Sequence, residues 1–266
     1  MGMKAHIFRT VVAAAAVSAA LLPSMASAAP ITKTVNVSVY QLCDDDGLNC
    51  AAKGPAGNDY FAESTNKIWE QAGISVTFSF ISQIRSTAFL DLDDIPGDDF
   101  AALHAGYGTG GPSNTSVDMF LINTFAGAYG VGWSGQGGLL MSMQTIMDFD
   151  CGGELDCTGR IDTLAHELGH NFGLVPDSWP DADGTGHWGE MTGNDDKLMA
   201  GGAYRWVPTT VLDIYPSGLG YSKLTADEIA LARTSSLLQP VPEPSAYAMM
   251  LAGLIGIGVI RRRRPA

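Results

Sequence analysis

A chain of 266 residues with 15 lysines and arginines against 28 aspartates and glutamates carries a formal charge of −13, which excludes nucleic acid and anionic polysaccharide as partners held by charge alone. Without the two ends read below, residues 30–240 keep 9 basic residues against 27 acidic ones, a formal charge of −18. That body has the length of one globular domain with a real core.

Met1 to Ala29 opens with Lys4 and Arg9, runs apolar from Val11 to Leu22 and closes on the small residues Ala26, Ser27 and Ala28. This order predicts a secretory signal peptide, cut after Ala28 or Ala29, and an exported body. Val35, Val37 and Val39 alternate with polar residues, so Thr34 to Leu42 reads as a half-buried strand. Asn58 to Ala72 reads as a helix with Phe61, Ile68, Trp69 and Ala72 on its apolar face and Gly73 at its end. Ile74, Val76, Phe78 and Phe80 mark a second strand, Val117 to Phe125 a third, and Leu139 to Phe149 a fourth. Gly127 to Gly138 is glycine-rich but lacks the Gly-Lys-Ser/Thr ending of a phosphate loop.

Four cysteines fall in two close pairs, Cys43 with Cys50 and Cys151 with Cys157. In an exported chain two local disulfides are the simplest arrangement, and no close-spaced CxxC pair supports a cysteine metal site. Asp44 to Asp46 and Asp91 to Asp99 are acidic, and Asp181, Asp183 and Thr185 echo the start of a calcium loop. Calcium takes oxygen ligands, so these stretches allow it as a second cation, although Thr192 stands where such a loop needs Glu. Thr225 and Glu228 form a capping box that opens a helix from Ala226 to Leu238.

The chemistry concentrates in Arg160 to Asp177, RIDTLAHELGHNFGLVPD. Ile161, Leu164, Ala165, Leu168 and Phe172 fall in one helical stripe, and His166 and His170 point to the opposite side. Imidazoles four residues apart lie one turn above each other, so both can bind one metal ion while Glu167 stands beside it. Gly173 follows the last apolar residue and ends the helix.

HELGHNFG resembles the first eight positions of the metzincin signature HExxHxxGxxH. The resemblance implies an α+β domain: a twisted, mostly parallel sheet with an antiparallel edge strand, the HExxH helix and a C-terminal helix. It implies one catalytic zinc on His166 and His170, Glu167 as general base, and Met199, in DDKLMAGG, in a turn beneath the metal. Leu139 to Phe149 would then be the edge strand lining the cleft, where an extended peptide pairs through its backbone. Tyr204 reads as a core or wall residue. Position eleven, where the family's third ligand belongs, is Pro176, which cannot bind zinc. Asp177, one residue later, has an acceptable carboxylate and is the nearest substitute; His187 in GTGHWGE is the rival, with Glu190 beyond it.

Val241 to Pro244 reads VPEP, an apolar segment runs from Tyr247 to Ile260, and Arg261 to Arg264 follow. This resembles the PEP-CTERM sorting signal of Gram-negative bacteria, which implies processing by an exosortase and a place at the cell surface or in the extracellular matrix. The apolar segment is expected to form a short transmembrane helix, a transient anchor in the inner membrane with its arginines on the cytoplasmic side. The expected division is therefore 1–29 signal peptide, 30–240 metallopeptidase domain and 241–266 sorting segment. Two functions follow: an exported zinc endopeptidase acting on proteins or peptides, or a surface or matrix binding protein that keeps the fold and has lost catalysis. Pro176 and the sorting tail motivate the second; the intact Glu167 favours the first.

Overall fold

The computed structural model describes residues 29–241, apart from 56–58, 93–96, 109–114, 126, 135–136, 154–156, 191–192 and 203–204. The signal peptide up to residue 28, most of the sorting tail, Thr192 and Tyr204 lie outside the described residues.

The chain opens with β1 (Lys33–Cys43), α1 (Ala62–Trp69), β2 (Ile74–Arg85), β3 (Asp91–Leu92) and α2 (Gly97–Tyr107). Next come β4 (Ser116–Ile122), β5 (Thr124–Phe125), β6 (Gly130–Trp133), β7 (Gly138–Ser142), α3 (Met143–Met147) and α4 (Thr163–Asn171). A long irregular stretch then leads to α5 (Ala226–Ala232) and β8 (Gln239–Pro240). The main sheet runs β2-β1-β4-β7-β6, with β8 pairing β1 antiparallel at Lys33 and Thr34. The pairs β1–β2, β1–β4 and β4–β7 are parallel; β6 is antiparallel to β7. The fold is thus mixed, with a mostly parallel sheet.

The strands at the centre are covered on both faces, as parallel sheets require. Val35, Val37, Val39, Tyr40 and Leu42 of β1, and Val117 to Ile122 of β4, are buried, and Tyr40 stacks on Phe120 at 5.0 Å. Burying each such side chain contributes about 1.5–3 kcal/mol. α1 packs on α4: Trp69 meets Phe172 edge to face at 4.8 Å, and the Ser64 hydroxyl donates to the Ile161 carbonyl at 2.6 Å. Gly73, left-handed at φ 66°, turns the chain from the short helix after α1 into β2. Disulfides join Cys43 to Cys50 and Cys151 to Cys157.

Several elements differ from the sequence expectation. The helix read over residues 58–72 is α-helical only from Ala62 to Trp69, between short 3-10 turns, and the strand read over Val117 to Phe125 divides, β5 pairing with β3 in a separate two-stranded sheet. The strand read over Leu139 to Phe149 is β7, Gly138–Ser142, and α3 follows it, with Met143 and Ile146 buried one turn apart. The antiparallel edge strand is β6, formed by the glycine-rich segment. The expected C-terminal helix stops at Ala232, where Thr234 turns its hydroxyl onto the Leu231 carbonyl at 2.7 Å, a local bond that competes with further helix. The expectation of a transmembrane helix is corrected as well. Among the described residues no helix is long and apolar enough to cross a membrane, and Tyr247 to Ile260 lie outside them.

Candidate metal centre

α4 carries His166, Glu167 and His170 into a cleft of about 470 Å³ bounded on one side by Gly127 to Gly132 and on the other by Thr185, His187 and Arg205. Its other face holds Leu164, Ala165 and Leu168 in the core. At the helix end Gly173 takes φ 75°, and the Leu174 amide bonds back to the Gly169 carbonyl at 3.0 Å. Asn171 ties the helix to β7 through the Gly138 carbonyl at 3.0 Å.

Of the candidates for a third ligand, the structure brings His187 to the helix pair. His166, His170 and His187 present ligand nitrogens all within 4.8 Å of one another, a convergence found for no other group of His, Cys, Asp or Glu among the described residues. Asp177 and Glu190 are exposed and outside that group. After Gly173 the chain buries Leu174 and Val175 in the core, which turns Pro176 and Asp177 outward. His187 returns on a loop held by backbone pairing of Trp188 with Ala182 and with Ala200. Gly186, at φ 82°, passes over the His170 ring, where an added Cβ would come to 3.0 Å of Nδ1.

The donor set fits a dication. Nε2 of His166 and Nε2 of His187 are 3.1 Å apart. The Nδ1 atoms of both rings face acceptors: the Leu198 carbonyl at 2.7 Å for His166, and the Thr185 hydroxyl at 2.9 Å for His187. In the tautomer with Nδ1 protonated on both rings, the two Nε2 lone pairs face each other and a cation between them would satisfy both. Tetrahedral zinc with bonds of about 2.05 Å places its nitrogens about 3.3 Å apart. Thr185 in turn donates to Asp183 at 2.7 Å, so a chain from carboxylate to hydroxyl to imidazole orients His187. Thr185→Val is therefore expected to weaken zinc binding about 10- to 100-fold in a competition titration with a chromogenic chelator. Unchanged affinity would remove that role from Thr185.

Burial holds all three imidazoles below the ordinary histidine range, helped by Arg205 and, for the two on the helix, by the neighbouring imidazoles; His170 comes down to about 3. All three are thus neutral, as metal ligands must be. Glu167 is pushed up to about 8 by burial, against the pull of Arg205, the Gly132 amide and Arg160. A bound dication opposes that rise. Met199 is fully buried beneath α4, and its sulfur occupies the space that a Cβ on Gly169 would need.

Sequence reasoning did not single out the polar floor of the cleft. Arg205, itself buried, donates to the Leu198 carbonyl at 2.7 Å and to Asp162 at 3.1 Å, and lies against Nδ1 of His166. Asp162 also accepts from Ser222 at 2.8 Å. Of the acidic stretches read as calcium sites, Asp93 and Asp94 lie outside the described residues, and several of the others accept local hydrogen bonds, Asp91 from the Thr124 hydroxyl among them. Asp44 accepts from the Leu48 amide and Asn49, Asp45 from the Thr87 amide, and Asp183 from Thr185.

β6 lies directly on α4 because it is built from glycine. A Cβ on Gly130 would come to 2.7 Å of Glu167 Cγ, and one on Gly132 would meet the Glu167 carbonyl and His170 Cβ. As the end strand of the sheet, β6 has one ladder edge that no other strand among the described residues pairs.

Residues 240–264 match the PEP-CTERM protein-sorting motif, so the chain ends in that motif, which supports export and surface association. No curated protein matches the chain. Among solved structures, an archaemetzincin from Methanopyrus kandleri aligns with a TM-score of 0.39 and 13% identity over 76% of this chain and 95% of its own. A zinc-dependent peptidase from Methanocorpusculum labreanum aligns at 0.37 and 12% over 74% and 99%. A chaperone–substrate complex reaches 0.37 and 13% over 78% of this chain and 34% of its own. At these TM-scores the likeness carries no argument, and the functional reading rests on the side chains of the cleft.

Proposed function

We propose that the protein is an exported zinc-dependent endopeptidase. The observation that carries this reading is the convergence of His166, His170 and His187 on one point, with Glu167 beside it in an open cleft. When bound, zinc supplies Lewis-acid polarisation of a carbonyl and lowers the pKa of a neighbouring water. Glu167 would take a proton from a water as its oxygen adds to the substrate carbonyl carbon, and would return that proton to the amide nitrogen as the C–N bond breaks, leaving a carboxylate and an amine. The Gly132 amide, which bonds to Glu167, holds that carboxylate in place. The open edge of β6 offers backbone groups to an extended peptide, so the chain is held by its main chain rather than by one side chain. Met199 serves as the packing floor of the helix, in the role of the metzincin methionine turn. In this reading residues 1–29 direct export and are removed, residues 30–240 are the peptidase, and the tail is processed by an exosortase.

The test is zinc content and casein cleavage on one purified sample, with and without a chelator. One zinc per chain and cleavage that stops with the chelator and returns with zinc are expected. Zinc-free protein, or zinc-loaded protein that cuts no general protein substrate, would instead favour the surface or matrix binding protein.

A further inference from the structure

Arg160 stands three residues before α4, in the wall of the same cleft as Glu167, and is only 6% exposed. Its guanidinium lies over the Tyr129 ring at 4.5 Å, with the Phe149 ring at 5.9 Å. The nearest carboxylate, Asp162, has an oxygen 3.9 Å from Arg160 Nε, too far for a hydrogen bond. Both Asp162 oxygens are already taken, one by Arg205 and the other by Ser222. Arg160 Nε is buried without an acceptor, and its guanidinium makes no hydrogen bond to any described residue. Its terminal nitrogens, in contrast, are not buried and line the cleft, so their hydrogen-bonding capacity is open to a ligand that enters it.

We propose that Arg160 anchors a subsite for an acidic side chain of the substrate, so that the enzyme prefers Asp or Glu at one position flanking the bond it cuts. This rests on the peptidase reading above. The planar guanidinium fork matches a carboxylate with two parallel hydrogen bonds, and the Tyr129 ring packs against the guanidinium at 4.5 Å. Arg205 lines the same cleft and adds positive potential, but its terminal nitrogens are engaged with Leu198 and Asp162. The acidic body would repel an acidic peptide at long range, yet charges beyond about 8 Å are screened at physiological salt, so the local guanidinium decides.

The experiment uses quenched fluorescent peptides, cut by the zinc-loaded protein, in which each of three positions on either side of the scissile bond is Glu, Gln or Lys. At one position Glu is expected to exceed Gln by about 10-fold or more in kcat/KM, the worth of a charge-assisted pair, with Lys below Gln. Arg160→Met should bring the Glu-to-Gln ratio towards one, and Arg160→Lys, which keeps charge but not the fork, should leave it between. Melting curves identify a variant that has not folded, in which case Tyr129→Leu, which removes the ring packed against the guanidinium, must lower the ratio. A ratio unchanged in the folded variants, or an equal fall for both peptides, overturns the proposal, because a guanidinium serving only the field at Glu167 would act on both alike. The same peptides are also titrated by fluorescence anisotropy onto the Glu167→Gln protein. Tighter, Arg160-dependent binding of the Glu peptide, if the parent chain cuts neither, keeps the subsite and removes the peptidase. Cleavage with no Arg160-dependent preference keeps the peptidase and removes the subsite.

Discussion

Glu167→Gln is expected to keep its zinc and to lose peptidase activity by about 10²- to 10⁴-fold in kcat/KM, the usual contribution of a positioned general base. The amide has the shape of the carboxylate and still offers an oxygen to the Gly132 amide, so β6 should stay on α4. What it lacks is the capacity to accept a proton from water. Zinc should be retained because the converging nitrogens belong to His166, His170 and His187, and Glu167 is not among them.

Stability provides a second readout of the same substitution. In the metal-free protein burial lifts Glu167 from 4.5 to about 8, so at pH 7 the folded chain holds a proton there that the unfolded chain has released. The unfolded state then binds fewer protons, and this group costs stability progressively as pH rises from 4.5 towards 8. Over the interval up to pH 7 that cost is about 3 kcal/mol. A neutral amide removes it, so metal-free Glu167→Gln should be at least as stable as the parent at pH 7 by urea unfolding. Activity within 10-fold of the parent, or zinc lost from a folded variant, would take the general-base role from Glu167.

The residues that were legible in the sequence are those whose geometry is local. His166, Glu167 and His170 are fixed by helical spacing alone, and the apolar stripe from Ile161 to Phe172 forecast which side they face. Gly173 and the Thr225–Glu228 box are likewise properties of single turns, and both appear as read. The third imidazole was not decidable, since proximity in sequence favoured Asp177. His187 reaches the site only through pairing of Trp188 with Ala182 and Ala200, contacts that no local pattern encodes. β6 escaped because glycine carries no side chain to show a strand period; the property that lets it touch Glu167 also hides it. Arg160 and Asp162 stood at the head of the quoted helix segment, and their flanking charges were an available signal. Arg205 had none, because its role depends on Leu198 and Asp162 being folded around it.

The metal-free protein should lose stability as pH falls from about 6.5 towards 3, and the three imidazoles should account for the upper part of that fall. In the unfolded chain each takes up a proton near pH 6.5. In the folded chain burial keeps all three neutral to lower pH, down to about 3 for His170. Through that window the unfolded state binds more protons, so stability falls as pH is lowered, by up to about 1.4 kcal/mol per pH unit for each histidine. Between pH 6 and 5 most carboxylates remain ionised, which separates the imidazoles from general acid unfolding. His170→Gln should therefore make the pH dependence of unfolding free energy shallower by about 1 kcal/mol per unit in that interval, measured by urea unfolding in chelator. An identical slope in parent and variant would show that His170 is already protonated in the folded protein and would count against it as a ready ligand. Zinc adds to the same slope, because it binds only the neutral imidazoles that the fold maintains. The zinc-loaded chain should thus resist acid until protons displace the metal, and His170→Gln should lose that protection together with its share of the slope.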